Sequence, residues 1–472
     1  MTRCRRYELL RGVAVLLVAS SSARPEYSLN VLDFGATGSP GNRDNTAAFQ
    51  RTLDAAALQR GAIVVAPAGI YRFTGALFVP SGVTLQGSFS SAPWDGYGLL
   101  NGSHTAPPNG TVFHATGGRG SSSTDTAFIT LAADATLAGV TIFYPEQHRG
   151  TGPPVPYPWT VALAGSNAAL TDSLLLNSWN AINATLAPRH YIARVQGQPI
   201  NIGLYIDQCF DIGRVENVHW HTGWRWLPGG HDLFEAGAYL HQVLHGRGFV
   251  IARTDWQSFL NTFALNYAVG YHFIISPPDG MFPGERTASG HFIGIGSDVT
   301  RNATILVEDV KANAIVISEA SLVVLCDNRA KEAKCDQAPR THVIVESTNT
   351  GTVKIVNSAL WGPAKAAARV QGSGTVQFVD TLVMAWGCPV NTPPCLVCRG
   401  CGGNATTALA FDFGGNGTAT VRGCEFRQSS IASVVLRKNL RRSMISNNLC
   451  EGALTVERES NATRAAVHDN LC

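Results

Sequence analysis

Two carboxylates brought together in space could hydrolyse a glycosidic bond, and this chain carries a candidate pair. Asn217 and Asn261 lie 44 residues apart in similar surroundings, and superimposing the two segments on them places Asp211 on Asp255, each six residues upstream. If the segments form neighbouring rungs of one parallel structure, the carboxyls stand about 5 Å apart. Carboxyls separated by about 5 to 5.5 Å suit a retaining glycosidase, and by about 6.5 to 9.5 Å an inverting one. Crowding of two anions raises one pKa and makes that group the proton donor. Arg253 falls beside the pair and Asp207 offers a third carboxylate. The same four residues fit a lyase, with Arg253 as base and Ca²⁺ held by the carboxylates; hydrolysis needs no cofactor. The competing structural role of Asp211 and Asp255 is to satisfy backbone amides at turns.

Aromatic residues concentrate in the same stretch: Trp224, Trp226, Trp256, Tyr267 and Tyr271. Sugar rings stack their apolar C–H faces on such side chains, so these five are candidate substrate-binding residues, at least two of which are expected to be plain core. His219 and His221 flank an inward Trp220, and His219 is a candidate donor to a sugar hydroxyl.

What would hold these residues in place is a repeat. The pattern is apolar, any, then Asn, Asp or Gly, with another apolar residue soon after. It recurs at Leu85-Gln86-Gly87, Leu137-Ala138-Gly139, Leu170-Thr171-Asp172, Val215-Glu216-Asn217, Ile355-Val356-Asn357, Phe378-Val379-Asp380, Val421-Arg422-Gly423, Ile445-Ser446-Asn447 and Val467-His468-Asp469. Asn357 to Asp380 is 23 residues, Gly423 to Asn447 is 24, Asn447 to Asp469 is 22 and Asp172 to Asn217 is 45, so units of about 22, single or doubled, recur. One such unit cannot bury its own apolar face and must stack on the next. Short alternating strands with a bend-tolerant residue at a fixed place predict an all-β, single-stranded right-handed parallel β-helix over 28–472. A leucine-rich repeat has a similar period, but its paired leucines are missing.

The period breaks at 221–247, where Leu233, Ala236, Leu240, Val243 and Leu244 recur at helical spacing, predicting one inserted helix that ends at Gly246. A second break, Pro277 to Ser289, is a Pro/Gly loop carrying Asp279, Glu285 and Arg286. Loops thrown out of a rigid solenoid are where binding concentrates.

Arginines at 3, 5, 6 and 11 followed by the apolar run 12–19 and the small residues 21–23 form the three parts of a secretory signal over 1–23, so a secreted protein is expected, with no membrane anchor after cleavage. Seven Asn-x-Ser/Thr acceptors, at Asn101, Asn109, Asn183, Asn302, Asn404, Asn416 and Asn461, fit that route. Ten cysteines remain beyond the signal, and in an oxidising compartment they are expected to pair. Cys326 and Cys335 would staple a short charged loop. Cys388, Cys395, Cys398 and Cys401, in the Cys-rich stretch 388–403, have a spacing superficially like a zinc site, but the tandem two-residue spacings crowd the ligands and favour bridges. A net charge of only +3, with the basic residues scattered, excludes nucleic acid as the expected partner. Oligomeric state is not readable.

The start of the mature chain, Asn30-Val31-Leu32-Asp33-Phe34-Gly35-Ala36-Thr37-Gly38, then Asp44-Asn45-Thr46-Ala47-Ala48-Phe49-Gln50, then Val64-Val65-Ala66-Pro67-Ala68-Gly69-Ile70-Tyr71, resembles the pectate-lyase-superfamily domain of rhamnogalacturonase-like and epimerase-like β-helix proteins. The likeness spans about 28 to 90. It implies that Asp-Asn-Thr opens a helix, Thr46 to Ala57, closing the mouth of the solenoid. It also implies chemistry on pectin-like or other acidic extracellular polysaccharides lying along one outer sheet. The Asn-Thr-Asp, Asp-Asp, Gly-His-Gly and Arg-Ile-Lys motifs of the polygalacturonase-like members and the Asp-Pro-His-Asp motif of mannuronan epimerases do not occur. The expectation is therefore a secreted glycoside hydrolase, with a polysaccharide lyase or a non-catalytic glycan-binding or structural β-helix as the alternatives.

Overall fold

The computed structural model describes residues 28–39, 43–59, 62–88, 110–121, 124–147, 150–222, 237–326, 331–388, 410–427, 431–459 and 465–472. The chain winds into the right-handed parallel β-helix that the repeat predicts. Strands stack in three ladders. The first two merge into one sheet because Ala169–Leu176 and Tyr191–Gln198 run unbroken through the corner between them; the third ladder is a separate sheet of 13 strands.

The corner between the first and second ladders turns on one left-handed residue per coil: Gly139, Asp172, Arg194, Asn217, Asn261, Gly294, Glu319, Asn357, Asp380, Gly423, Asn447 and Asp469. Gly, Asn and Asp tolerate this backbone at least cost, which is why the polar position of the repeat marks it. Corner amides donate up the stack, among them Asn217 to the Leu260 carbonyl at 2.9 Å, Asn261 to Ile293 at 3.1 Å and Asn357 to Val379 at 3.0 Å. Arg194 and Glu319 occupy the same position without matching the pattern. The Arg194 guanidinium grips Asp172 of the coil before it through two contacts of 2.6 Å; nothing in the structure explains Glu319.

Ahead of the corner, one inward column runs Val215, Phe259, Phe292, Ile317, Ile355, Phe378, Val421 and Ile445, all fully buried and in register across the first ladder. Helix α1 (Thr46–Ala57) closes the N-terminal mouth. It drives Phe49 edge-on into Tyr71, Phe73 and Phe113. Asp44 supplies its cap: the carboxylate accepts from the Thr46 amide and hydroxyl and from the Thr74 amide and hydroxyl. These hydrogen bonds hold its pKa down at about 2.

The inserted helix α2 (Gly237–His245) buries a face rotated from the predicted one, through Ala238, Tyr239, Gln242 and Val243. Tyr239 and Val243 pack on Cys326, Ala333, Cys335 and Ala338, so the helix leans on the disulfide-closed loop rather than on the solenoid alone. Cys326–Cys335 and Cys450–Cys472 are disulfides. The expectation that all ten cysteines pair is overturned at Cys209 and Cys424, which are free and buried. Both thiols face main-chain carbonyls inside the solenoid, Cys209 meeting Ala184 at 3.2 Å, and serve as small apolar fillers. The signal segment and most of 388–403 lie outside the described residues. Among the described residues no helix is long and apolar enough to cross a membrane.

His190 and His342 are fully buried, and burial pushes their pKa values down to about 4 and about 3. An unfolded histidine takes up its proton near pH 6.5, so below that pH the unfolded state binds protons the folded state refuses. Stability is expected to be full above pH 6.5 and to fall toward pH 4, by up to about 1.4 kcal/mol per pH unit for each histidine. Denaturant melts at pH 7, 5.5 and 4.5 measure this, with His342→Leu flattening the slope; a constant midpoint down to pH 4.5 would contradict it.

Candidate functional site

Where the third ladder feeds the first, four charges converge. The strand Thr254–Leu260 does not enter its ladder smoothly: its pairing shifts between Thr254 and Gln257, and Trp256 at the shift has φ +50°. A left-handed backbone at a bulky residue is an outlier that its surroundings must enforce. The effect is to throw the indole outward, 62% exposed, while Asp255 and Arg253 just before it face the loop Ser276–Arg286. Arg253 is 4% exposed; its guanidinium donates to the Cys209 carbonyl, meets Asp255 at 2.9 Å and Glu285 at 3.3 Å, and lies 4.3 Å over the Phe282 ring. Lys311, two coils further on, bonds both Asp255 and Glu285, the latter at 2.9 Å. Two carboxylates thus share two cations, and Lys311 holds the Glu285 carboxyl below its ordinary range. Phe210 packs edge-on against Phe282 at 5.8 Å and is itself half exposed.

The loop is strapped down as well as charged. Gln208, itself left-handed, bonds the Ser276 hydroxyl and accepts from the Phe282 amide at 3.0 Å, and Arg286 donates to the Ser276 carbonyl.

The residues proposed from sequence separate. Register places Asn217 against Asn261 as expected, since Arg214 pairs with Ser258 and Glu216 with Leu260. Upstream the equivalence fails: Asp211 is a left-handed turn residue, and the Trp256 bulge displaces the other segment. Asp211 accepts from the Ile212 amide and pairs with Arg189 at 2.9 Å, at the end of a ladder that runs Asp134, Asn167, Arg189, Asp211. Arg189 lowers its pKa, the opposite of the shift a proton donor needs. Asp211 therefore has the turn role, and the carboxylate that shares its cations with Asp255 is Glu285. Asp207 is not on an open face; at 4% exposure its carboxylate takes the Tyr205 hydroxyl at 3.0 Å and the amides of Gln208 and Arg253 at 2.7 and 3.1 Å, which makes it a support for Arg253. A Ca²⁺ shared by Asp207, Asp211 and Asp255 has no common point to occupy, since each carboxylate is turned to different partners.

Tyr267 and Tyr271 are core residues rather than sugar platforms: both are fully buried, with hydroxyls on the Pro199 carbonyl at 2.8 Å and the Thr262 carbonyl at 2.9 Å. His219 stands on the second ladder, against His221 and Phe263, a different face from the charged cluster, and burial lowers its pKa to about 4. Trp224 and Trp226 lie outside the described residues. Of the aromatic candidates it is Trp256 that reaches this rim.

Sequence reasoning missed Lys311, and it missed the outer face of the third ladder beside the rim. There Tyr205, Arg247, His272 and Glu308 gather; His272 meets Glu308 at 3.1 Å and Glu308 also accepts from the Ile275 amide at 3.2 Å. These residues come from strands 22 to 45 residues apart in sequence, so only the ladder register brings them together.

Residues 28–95 match the family model described as "Rhamnogalacturonase A/epimerase, pectate lyase-like". The fold is that of the pectate-lyase-like parallel β-helices. Among solved structures, the tailspike protein of Escherichia coli bacteriophage HK620 in complex with a pentasaccharide is similar at TM-score 0.51 and 11% identity, over 93% of this chain and 78% of that one. The catalytic unit of an α-1,3-glucanase from Streptomyces thermodiastaticus matches at TM-score 0.48 and 14% identity, over 95% and 69% of the two chains. The A-module of a mannuronan C-5 epimerase from Azotobacter vinelandii matches at 0.45 and 14%, over 93% and 99%. No curated protein sequence matches the chain.

Within this pectate-lyase-like scaffold, Arg253 is the group on which the rim depends. Replacing it with methionine leaves two carboxylates to Lys311 alone and removes the cation beneath Phe282. A destabilisation of about 3 kcal/mol is expected, as for a broken buried ion pair, with new proteolytic cutting at 277–285. A melt within about 0.5 kcal/mol of wild type and an uncut loop would contradict this role.

Proposed function

We propose that the protein binds a polysaccharide outside the cell, along the outer face of the third ladder and the rim that carries Trp256. The single observation behind this reading is Trp256 itself. The fold holds a bulky aromatic in a costly left-handed conformation and leaves it exposed beside a charged cluster, and strain of this kind concentrates at binding sites. An exposed indole gives the apolar platform a sugar ring needs, and Asp255, Glu285, Lys311 and Arg253 give hydroxyls their donors and acceptors. The fold is in keeping with this: a phage tailspike built on it holds a pentasaccharide.

A second reading, retaining hydrolysis, is favoured by one feature. Asp255 and Glu285 both contact Arg253 and Lys311, which holds two carboxylates close together, as a retaining pair requires. In the free protein both are ion-paired, so a bound sugar would have to draw Lys311 away before either carboxyl could serve as acid.

Trp256→Gly separates binding from folding. Glycine accepts φ +50° freely, so the variant is expected to melt at or above the wild-type temperature, while affinity for the bound glycan falls about tenfold. Affinity electrophoresis through gels containing pectic, alginate, galactan and glucan polymers measures the binding, and reducing-sugar release on the same polymers tests hydrolysis. Wild-type mobility unretarded in every gel, or a Trp256→Gly variant retarded as strongly as wild type, would sink the reading.

A further inference from the structure

The bulge that projects Trp256 is held from inside the solenoid. Thr254 and Gln257, the residues between which the strand pairing shifts, are both fully buried, and the Thr254 hydroxyl donates to the Gln257 side-chain oxygen at 3.2 Å. That bond closes the base of the bulge and leaves Asp255 and Trp256 turned out over it. Later coils fill the same inward column with Ile315 and Val353. Here it holds a polar amide, which needs partners once it is withdrawn from water.

The partner for the amide nitrogen lies two coils back. Tyr191 pairs with Arg214 and Arg214 with Ser258, so His190, Gly213 and Gln257 stand in one column. The Gln257 Nε2 reaches over Gly213 to the His190 Nε2 at 3.3 Å. A Cβ at Gly213 would run into the His190 ring and stand 2.6 Å from the Gln257 Oε1, so only glycine permits the reach. The other ring nitrogen fixes the direction of the bond. The His190 Nδ1 faces the Ala187 carbonyl at 2.8 Å, which can only accept, so Nδ1 carries the proton and Nε2 accepts from the glutamine. Burial pushes the His190 pKa down to about 4, which keeps the ring neutral and the acceptor available at neutral pH. From the next coil the Trp256 amide meets the Ser289 hydroxyl at the longer distance of 3.4 Å. The tighter hold on the bulge is therefore the interior one.

Resting on the glycan-binding reading above, we infer that His190 is a positioning residue for the sugar platform: buried two coils away, it fixes Gln257 inward and so holds Trp256 outward. Without its acceptor the Gln257 amide is buried and unpaired, a penalty that falls on the bulged conformation itself. A strand relieved of the bulge has no reason to keep a tryptophan in the left-handed region. Asp255, on the same bulge, loses its setting against Arg253 and Lys311 along with it.

The test uses the whole chain labelled with fluorotryptophan. The fluorine resonance missing from Trp256→Gly belongs to Trp256, and in the wild type a single narrow line is expected. His190→Leu is expected to broaden or split that line alone among the tryptophans, and to weaken binding of the glycan retained in affinity gels about fivefold. His190→Gln, whose side-chain oxygen can take the place of the imidazole acceptor, restores both. The double variant His190→Leu/Gln257→Leu removes both polar partners and so recovers the melting temperature, yet keeps the disturbed line and the weak binding; it decides the matter if His190→Leu alone folds poorly. A wild-type line and wild-type affinity in the double variant, or a His190→Gln variant as impaired as His190→Leu, overturns the inference and leaves the Trp256 reading standing. If the wild type binds none of the polymers, the glycan reading falls, and the fluorine spectra still decide whether His190 fixes Trp256.

Discussion

One backbone interaction carries the architecture: left-handed corner residues from Gly139 to Gly423 donate their amides to the coil above. Because φ is positive at that one place, the chain bends sharply between two strands without a loop, and every coil repeats the bend in register. Short corners keep the first two ladders continuous as a single sheet, and the variable lengths of chain are forced to the other two corners. There the molecule carries α2 and the disulfide-closed loop on one side, and the loop Ser276–Arg286 on the other. The third ladder lies between them as a walled floor. The site is thus a consequence of where insertion is tolerated.

The rim uses the same conformational expense at a different place. Trp256 and Gln208 both adopt left-handed backbones, one to project an indole and the other to strap the neighbouring loop. Arg253 links the two through the Cys209 carbonyl, the Phe282 ring and the carboxylates of Asp255 and Glu285. With two cations facing two anions, the cluster is electrically balanced.

The fold was legible because its signal is local and repeated: Asn, Asp or Gly at the corner, apolar residues on either side, at a nearly constant interval. It was lost at Arg194 and Glu319, where residues of ordinary backbone preference occupy the corner; that is why the interval from Asp172 to Asn217 looked doubled. The site was legible only as far as the register held. Asn217 and Asn261 do align, yet six residues upstream a turn at Asp211 and a bulge at Trp256 break the correspondence, and Asp211 joins a corner ladder. Partners such as Lys311 and Glu308 lie on later coils, and no spacing rule reaches them across insertions of unequal length. Tyr267 and Tyr271 show the opposite limit, since an aromatic in an alternating strand reads the same whether it faces sugar or core.

The most direct test of the account is hydrogen–deuterium exchange of the whole chain with and without the glycan it retains in affinity gels. The account predicts slowed exchange in the loop Ser276–Arg286, at Arg253 to Gln257, and along Tyr205, Arg247 and His272 on the third ladder, with the corner stack unchanged. Protection confined to the second ladder around His219 and Phe263, or to the corner at Glu319, Asn357 and Asp380, would place the glycan on another face and contradict it.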